Sequence, residues 1–431
     1  MTDAEGGRPT ASLPAGQLVR LSLYWLGLSS IFTGLSQINQ GRLEYTNLVG
    51  PDDIGTALFF INVGGAVIAL LLQPTIGTLS DYTITRWGRR KPYIFVGSLL
   101  DVVFLLGVGA SNTLLGIAVF IVLLQISSNV AQGPFQGYVP DLVPPRQVGL
   151  ASALVGLFSV LGNIVGYLVG TLAVVQHDYL LGAAALALIE LSTMLSVVIR
   201  VKEGRTPKAR AGRSWRTIAL EAWGTDILRE HSFVALVRSR LFVLMGAAMI
   251  IQVGLLYLAQ TFSVKQGDLG PPNAVIVAIA AIGNVLAVVP AGRLSDRIGR
   301  KTVIYAACAF GAVGMLIIAF APAITVAFIG VGFYAVGSGM FLAVDWALMT
   351  DIIPKAATGR YMGMSNVATA SAGILALGFG GLLLDLVNRL LGFGTGPRAA
   401  FLLAAVFFVL GAIFLRPVDP RRREDLPVAP A

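Results

Sequence analysis

Apolar runs of about 20 residues recur along the whole chain, and charged residues are confined largely to the short segments between them. A run of this length spans the hydrocarbon core of a bilayer as an α-helix. Of the 431 residues, 56% are hydrophobic and 12% are charged, a balance typical of multi-span helical membrane proteins. The chain is therefore predicted to be an all-α membrane protein.

Hydropathy along the chain predicts twelve transmembrane helices in two six-helix bundles. The predicted spans are 18–40, 54–76, 92–110, 114–138, 149–175, 180–199, 241–263, 272–290, 303–321, 325–348, 361–384 and 399–415. The chain then divides into a tail at 1–17, a first bundle at 18–199, a linker at 200–240, a second bundle at 241–415 and a tail at 416–431. Apolar residues at helical spacing near Trp215 also fit an interfacial helix within the linker.

Positive charges predict the orientation of these spans. Of the 31 Lys and Arg residues, only four fall in the segments on one side, namely Arg42, Lys265, Arg389 and Arg398. Because Lys and Arg are enriched in cytoplasmic loops, we expect both termini and the linker to be cytoplasmic in a multi-pass protein of the cell membrane. Topology thus accounts for the net charge of +9, and no nucleic-acid partner is predicted. Residues 1–17 lack the features of a cleaved signal, so the first span is predicted to be retained.

Enzyme chemistry is not predicted. The single cysteine, Cys308, lies inside an apolar run and cannot form an intrachain disulfide. The two histidines, His177 and His231, fall on opposite sides of the membrane in this topology, and no nucleophile with a base is evident. No cofactor or metal is expected. The expected partners of a monomeric chain are a small-molecule substrate and the lipid bilayer, and a proton or other cation stays open as a further partner.

A charged turn occurs twice in the chain, first between the second and third spans and again between the eighth and ninth. The first copy, from Gly77 to Pro92, carries one acid and four bases, and a shorter copy runs from Gly292 to Lys301. A second repeated segment, Asp-x-x-Pro, begins at Asp141 and again at Asp351, where each acid is predicted to cap the next helix. Two repeats at nearly one offset indicate parallel halves, the arrangement in which a midplane site is exposed alternately to each side.

The Gly-x-Leu-Ser-Asp…Gly-Arg-Arg/Lys turns resemble the motif of the major facilitator superfamily, and this resemblance covers the whole chain. Three segments carry a narrower resemblance: 72–81, 86–94 and Asn129-Val-Ala-Gln-Gly-Pro134. They are similar to the sucrose-transporter branch of the glycoside-cation symporters. The resemblance implies the major facilitator fold and sugar transport. It also implies that the charged turns act as a conformational latch formed by Asp81, Arg86, Arg89, Asp296 and Arg300. A topology signal alone is the alternative role of these charges.

One position departs from the sucrose-transporter pattern. Where that family has the acid that carries the coupling proton, a few residues before the Asn-x-x-Gln-Gly-Pro segment, this chain has Gln125. A neutral amide cannot take up and release a proton near neutral pH. Either coupling has moved to another acid, or the chain is a facilitator.

Uncharged polar side chains recur at helical spacing in the first, fourth and seventh spans. Amides and hydroxyls on a water-filled cavity suit a neutral polyhydroxyl solute, although hydrogen bonds between helices use the same residue types. An aromatic ring in the tenth span could stack on a sugar. The predicted substrate-binding residues are Gln37, Gln125, Asn129, Gln132, Gln252, Tyr257, Gln260 and Trp346. Gly162, Gly166 and Gly170 in the fifth span instead predict close packing against another helix.

Three acids are predicted to lie within the hydrocarbon core: Asp101, Glu190 and Asp345. A charged side chain at the centre of a membrane helix costs about 2.5 to 3.5 kcal/mol on insertion scales, so each acid is a candidate for ion coupling. Asp345 is the first candidate because it shares a helix face with Tyr334 and Ser338. For the other two, pairing between neighbouring helices is the alternative.

These features favour a secondary active transporter that moves a small neutral polar solute, a sugar or glycoside, by alternating access. Cation coupling stays open. The 50 glycines and long apolar stretches also fit an exporter of amphiphilic compounds or drugs. A non-transporting membrane sensor or scaffold is the alternative from another class, and it would need an output domain.

Overall fold

The computed structural model describes residues 11–83, 85–144, 147–203, 214, 230–352 and 358–419, and within these ranges the chain is helical and contains no β-strand. The charged run from 204 to 229 falls almost entirely outside the described residues, and so does the interfacial helix expected near Trp215. Most of the two predicted tails also lies outside them.

Thirteen helices occur in the described ranges. They are α1 (Ala15–Tyr45), α2 (Ile54–Asp81), α3 (Lys91–Ala110), α4 (Leu114–Gln136), α5 (Tyr138–Leu142), α6 (Val148–Val175), α7 (Tyr179–Arg200), α8 (His231–Leu256), α9 (Gly270–Ile298), α10 (Arg300–Phe320), α11 (Ile324–Ile352), α12 (Thr358–Leu391) and α13 (Gly396–Leu415). A π-helical turn, Tyr257–Thr261, continues α8, and a 3₁₀ turn, Gln266–Asp268, precedes α9.

Twelve long helices coincide with the twelve predicted spans, and the predicted fold class is confirmed. Among the residues that the structure describes, eleven helices are long and apolar enough to cross a membrane, and α2 adds a shorter apolar stretch, Ile54–Gly65. Several helices extend past the predicted spans. The α8 helix, for example, begins at His231 and not at 241, because helical hydrogen bonding continues where the side chains become polar.

The chain forms two compact units. The first contains Met1–Arg42 and Phe60–Ala222, and the second contains Leu43–Phe59 and Trp223–Ala431. The segment that joins α1 to α2 is therefore part of the second unit, although its position in the sequence lies within the first bundle. Its contacts are described below with the second unit.

In the first unit, α6 lies directly against α1. A Cβ atom at Gly162, Gly166 or Gly170 would overlap the backbone of α1 at Leu26, Ser30 and Gly34, respectively. The predicted close packing of a helix at these three glycines is confirmed. In the absence of a hydrophobic driving force between helices in lipid, such close backbone approach supplies the van der Waals contact that holds them together.

In the second unit, α11 packs between α9 and α10, while α8 packs against α12 and α13. Phe408 of α13 fills the space left by two glycines, since Cβ atoms at Gly246 of α8 and Gly311 of α10 would lie 2.8 and 2.6 Å from its ring. One aromatic ring of α13 thus packs against glycines of two other helices. Large side chains fill the space beside small ones in the same way in the core of a soluble protein.

Candidate functional site

The charged turn between α2 and α3 is built around Arg90, whose side chain is buried with 5% of its surface exposed. Its guanidinium donates to Asp81 Oδ1 at 2.7 Å and to the Pro134 carbonyl at 2.7 Å, and it pairs with Asp141 Oδ2 at 2.6 Å. These partners lie on α2, α4 and α5. A single planar cation therefore ties three helices together through charge-assisted hydrogen bonds.

The amino-terminal end of α3 is capped by a residue from beyond α7. Glu203 accepts the backbone N–H groups of Arg89, Arg90 and Lys91 at 2.8, 2.9 and 2.9 Å. These are donors without a partner inside the helix, and the positive end of the helix dipole favours an anion there. Tyr138 donates its hydroxyl to the same carboxylate. Burial, and then the charge of Glu203, raise the pKa of Tyr138, so it stays a donor.

Asp141 has a different role from the one predicted. Its carboxylate pairs with Arg89 and Arg90, and the residue that precedes α6 in the capping position is Gln147. The predicted cap at Asp141 is therefore wrong, because two guanidinium groups compete for the carboxylate. Asp351 likewise pairs with Arg300 at 2.7 Å.

The two copies of the charged turn have a similar backbone conformation at one glycine, but the surroundings of their acids differ. Gly88 and Gly299 both adopt positive φ, at 125° and 90°, a conformation that glycine adopts without a Cβ clash. In the second copy Arg300 also donates to the Ala347 carbonyl. Asp296, however, is exposed, whereas Asp81 is half-buried beside Arg90. Of the predicted latch residues, Arg86 is exposed as well.

The predicted binding residues of the first unit lie on α1 and α4. Gln37 is fully buried, and Asn129 donates to the Gln125 carbonyl of its own helix at 2.7 Å. The Gln125 side chain lies against Gly65 of α2. Gln125 and Gln132 keep part of their surface accessible. Two amides of the α4 stripe therefore keep accessible surface, while Asn129 satisfies a donor locally.

In the second unit, two predicted binding residues make hydrogen bonds between helices. Tyr257 donates to the Ile318 carbonyl of α10 at 2.5 Å. Gln260 donates to Glu44 at 2.7 Å and accepts from Asn388 of α12 at 3.0 Å. Both residues are almost fully buried, and both match the alternative in which polar side chains join neighbouring helices.

The other two predicted binding residues of this unit are Gln252 and Trp346. Gln252 is half-buried, and its Nε2 lies 3.2 Å from the place that a Cβ at Gly373 would occupy. Trp346 lies on α11, and its side chain is outside the described part of the structure.

The segment between α1 and α2 is held by acids and bases that the sequence did not single out. Asp385 of α12 accepts the N–H groups of Gly55 and Thr56 at 2.9 and 2.5 Å, so it caps the start of α2. Arg389, one turn further along α12, pairs with the exposed Asp53. A charged residue inside a long apolar helix, as Asp385 is in α12, was the signal available for this contact.

Asp345 is paired with a buried arginine. Its Oδ2 lies 3.3 Å from Nη2 of Arg240, and 4% of each side chain is exposed. Arg240 also donates to Ser365 of α12 at 2.9 Å. The sequence placed Arg240 in the linker, one residue before the seventh span, whereas the structure places it inside α8. The partner of Asp345 was missed for that reason.

Asp101 and Glu190, from α3 and α7, lie beside one another in the first unit, and both are fully buried. Tyr24 of α1 donates to Glu190 at 3.1 Å and shares a hydrogen bond of 2.5 Å with Ser98. Ser127 of α4 donates to Asp101. The structure thus brings these two candidate acids together.

The Asp81–Arg90 pair predicts a specific effect of neutralising the acid. Removing one partner of a charge-assisted hydrogen bond costs about 1.5 to 3 kcal/mol, and a shift of that size in the balance between conformations is about tenfold or more. Asp81→Asn should therefore slow transport about tenfold and leave solute binding within about twofold, since the variant changes the balance between conformations and leaves the side chains of the polar stripes unaltered. Transport rate and binding are measured on the same purified protein.

The matched control is Asp296→Asn, which changes the corresponding exposed acid of the second turn and should leave the rate nearly unchanged. An Asp81→Asn protein that transports at the normal rate would refute a latch role for this pair.

Three comparisons place the chain among known proteins. The family model described as Major Facilitator Superfamily matches residues 21–377 and, in a second match, 241–431. The sucrose transport protein SUC3 of Arabidopsis thaliana is 33% identical over 133 residues, and SUT2 of Oryza sativa subsp. indica is 36% identical over 129. These matches cover 26% and 25% of this chain and 22% and 26% of the relatives, so about a quarter of each relative is spanned.

Solved transporters have the same fold over nearly the whole chain. A bacterial homolog of the human lysosomal transporter Spinster superposes with a TM-score of 0.71 at 14% identity, covering 97% of this chain and 100% of that one. A D-xylose-proton symporter gives a TM-score of 0.64 at 16% identity, with 92% and 97% covered. From the extent of the family match, together with this common fold, the chain belongs to the Major Facilitator Superfamily.

Proposed function

We propose that this member of the superfamily is a secondary transporter that moves a small neutral solute of the sugar or glycoside class by alternating access. The observation that carries the proposal is the similarity to sucrose transport proteins at 33% and 36% identity, since the fold alone serves many solutes. The accessible amides of α4 support it, because an amide offers both a donor and an acceptor to a hydroxyl group at modest dehydration cost.

The proposed solute-binding residues include three amides that keep accessible surface: Gln125, Gln132 and Gln252. Trp346 is proposed with them because its indole ring could stack on a sugar ring. Gln37 of α1 and Asn129 of α4 are buried, so they would support the binding residues through packing and not contact the solute. Tyr257 and Gln260 would act indirectly, since their hydrogen bonds hold α10, α12 and the end of α1 in place within the second unit.

A thermal-shift screen of the purified protein tests the solute class. A ligand at about 100 times its Kd stabilises the folded state by about 2.7 kcal/mol, so the matching sugar or glycoside should raise the melting temperature clearly. Gln132→Ala should abolish that shift, while Gln176→Ala, an exposed amide after α6, should retain it. Stabilisation by lipophilic cations, with none by any sugar or glycoside, would favour the exporter function instead.

We propose that both termini and the linker face the cytoplasm, on the strength of the unequal distribution of Lys and Arg. In a background with the buried Cys308 replaced by Ser, a cysteine at the exposed Gly267 should react with an impermeant reagent applied to intact cells. A cysteine at Ser214 should react only after permeabilisation. The reverse pattern would invert the topology.

Ion coupling is proposed for the intramembrane acids, with Asp345 as the first candidate and Glu190 and Asp101 as the others. Asp345 is joined to Arg240 across α11 and α8, so uptake of a proton by the carboxyl group would remove the charge that the guanidinium compensates. Proton binding and the contact between two helices would then be linked, which is the requirement for coupling a proton to a conformational change.

Asp345→Asn is expected to abolish accumulation and to preserve exchange. A pH gradient of about one unit can sustain about tenfold accumulation by one-to-one symport, since one unit is about 1.4 kcal/mol. In proteoliposomes the variant should reach a ratio of about one, with counterflow retained because exchange needs no net proton movement.

Asp268→Asn, an exposed acid outside the spans, serves as the control for that experiment and should accumulate solute normally. Normal accumulation by Asp345→Asn would exclude this residue. A wild-type protein with no dependence on the pH gradient would show facilitated diffusion.

A further inference from the structure

The carboxyl groups of Asp101 and Glu190 form a contact that two ionised acids would not form. They lie within hydrogen-bonding distance of each other between α3 and α7, and both side chains have 0% of their surface exposed. Two negative charges at this separation repel each other strongly, and neither is solvated by water. Something must reduce the charge of the pair.

The surrounding protein does not supply a compensating cation. Neither acid forms an ion pair with a Lys or Arg among the residues that the structure describes. The groups that face the pair are neutral hydroxyls: Tyr24 from α1, Ser98 from α3 and Ser127 from α4. This is the opposite of Asp345, which has Arg240.

One oxygen of each carboxyl group is left without a donor. Asp101 Oδ2 and Glu190 Oε2 are both fully buried and accept no hydrogen bond from any protein donor in the described ranges. A buried carboxylate oxygen in that state loses its hydration without replacement, at a cost of about 1 to 3 kcal/mol or more because the group is charged. Protonation of one of the two carboxyl groups lowers this cost, because it removes one of the two buried charges.

We propose that Asp101 and Glu190 share one bound proton, held as an O–H···O⁻ hydrogen bond, and that this pair is a proton-binding site inside the first unit. The proton adds to one carboxylate and breaks no bond, which changes the net charge of the pair from two negative to one. The inference rests on the ion coupling proposed above for these two acids and deepens it, because it names the bound ion and the way in which the pair holds it.

A metal ion does not fit the same position. Mg²⁺ and Ca²⁺ take six or more oxygen ligands, which is more than these two carboxyl groups supply. The described residues also contain no cluster of three or more metal-binding side chains. A proton is the cation that the direct contact accommodates.

The bound proton connects several helices. It joins α3 to α7, while Tyr24 extends the hydrogen-bonded group to α1 and Ser127 extends it to α4. Loss of the proton would leave two anions in contact, and their repulsion would act directly on the packing of α3 against α7. Occupancy of this site therefore sets how closely the two helices pack.

Infrared spectroscopy of the purified protein, without any solute, tests the proposal. At neutral pH the wild type should show the C=O stretch of a protonated carboxyl group, and the band should shift in D₂O once the proton exchanges. Asp101→Asn and Glu190→Gln should each lose this band, because the new amide N–H replaces the shared proton with little change in shape. The matched control, Asp345→Asn, removes a carboxylate that is ion-paired and should keep the band.

A second measurement does not depend on the variants folding. Raising the pH from neutral to alkaline should lower the melting temperature of the wild type at constant sodium, and raising sodium at constant pH should not raise it. Absence of a protonated-carboxyl band in the wild type, or its survival in either single variant, would overturn the proposal. Stabilisation that follows sodium and not pH would overturn it in favour of a metal cation.

Discussion

An ionised side chain in the hydrocarbon core has no water around it, and the placement of the buried charges in this chain follows from that constraint. Arg240 and Asp345 compensate each other across two helices of the second unit. Arg90 is enclosed by two carboxylates and a backbone carbonyl. Asp101 and Glu190 have hydroxyl neighbours and no such cation among the described residues, and the proton that we propose for this pair would take its place. Each arrangement fixes the helices that contribute to it, so the cost of burying a charge also specifies which helices are neighbours.

The duplicated charged turns show how one backbone motif can carry different electrostatics. Both copies keep the glycine with positive φ and the arginine that pairs with the acid of the Asp-x-x-Pro segment. In the first copy the turn is also closed by Asp81 and by Glu203 at the start of α3. In the second, Asp296 is exposed. Among the contacts of the described residues, the first turn therefore has more ion pairs and caps than the second, and a change in its ion pairs has more partners to affect.

Sequence reasoning predicted the spans and the fold, because a bilayer requires long apolar helices and a superfamily motif marks the repeat. It also identified the close approach at Gly166, since small residues at four-residue spacing have a direct packing meaning. It did not identify what faces a polar residue. Helical periodicity assigns Gln260 to a face, whereas its partners Glu44 and Asn388 come from distant parts of the chain. Arg240 was missed because a hydropathy boundary fell one residue after it.

The cap at the start of α2 bears on the order in which the protein can be assembled. The N–H groups of Gly55 and Thr56 are satisfied by Asp385, which lies 330 positions after Gly55 in the chain. During synthesis α2 is made long before α12, so these donors must interact with water or lipid headgroups in the meantime. The segment between α1 and α2 can adopt its final contacts only once the second unit has been inserted. A ribosome-bound chain that ends before α12 would therefore carry a complete set of first-unit helices and an unfinished connection between its first two.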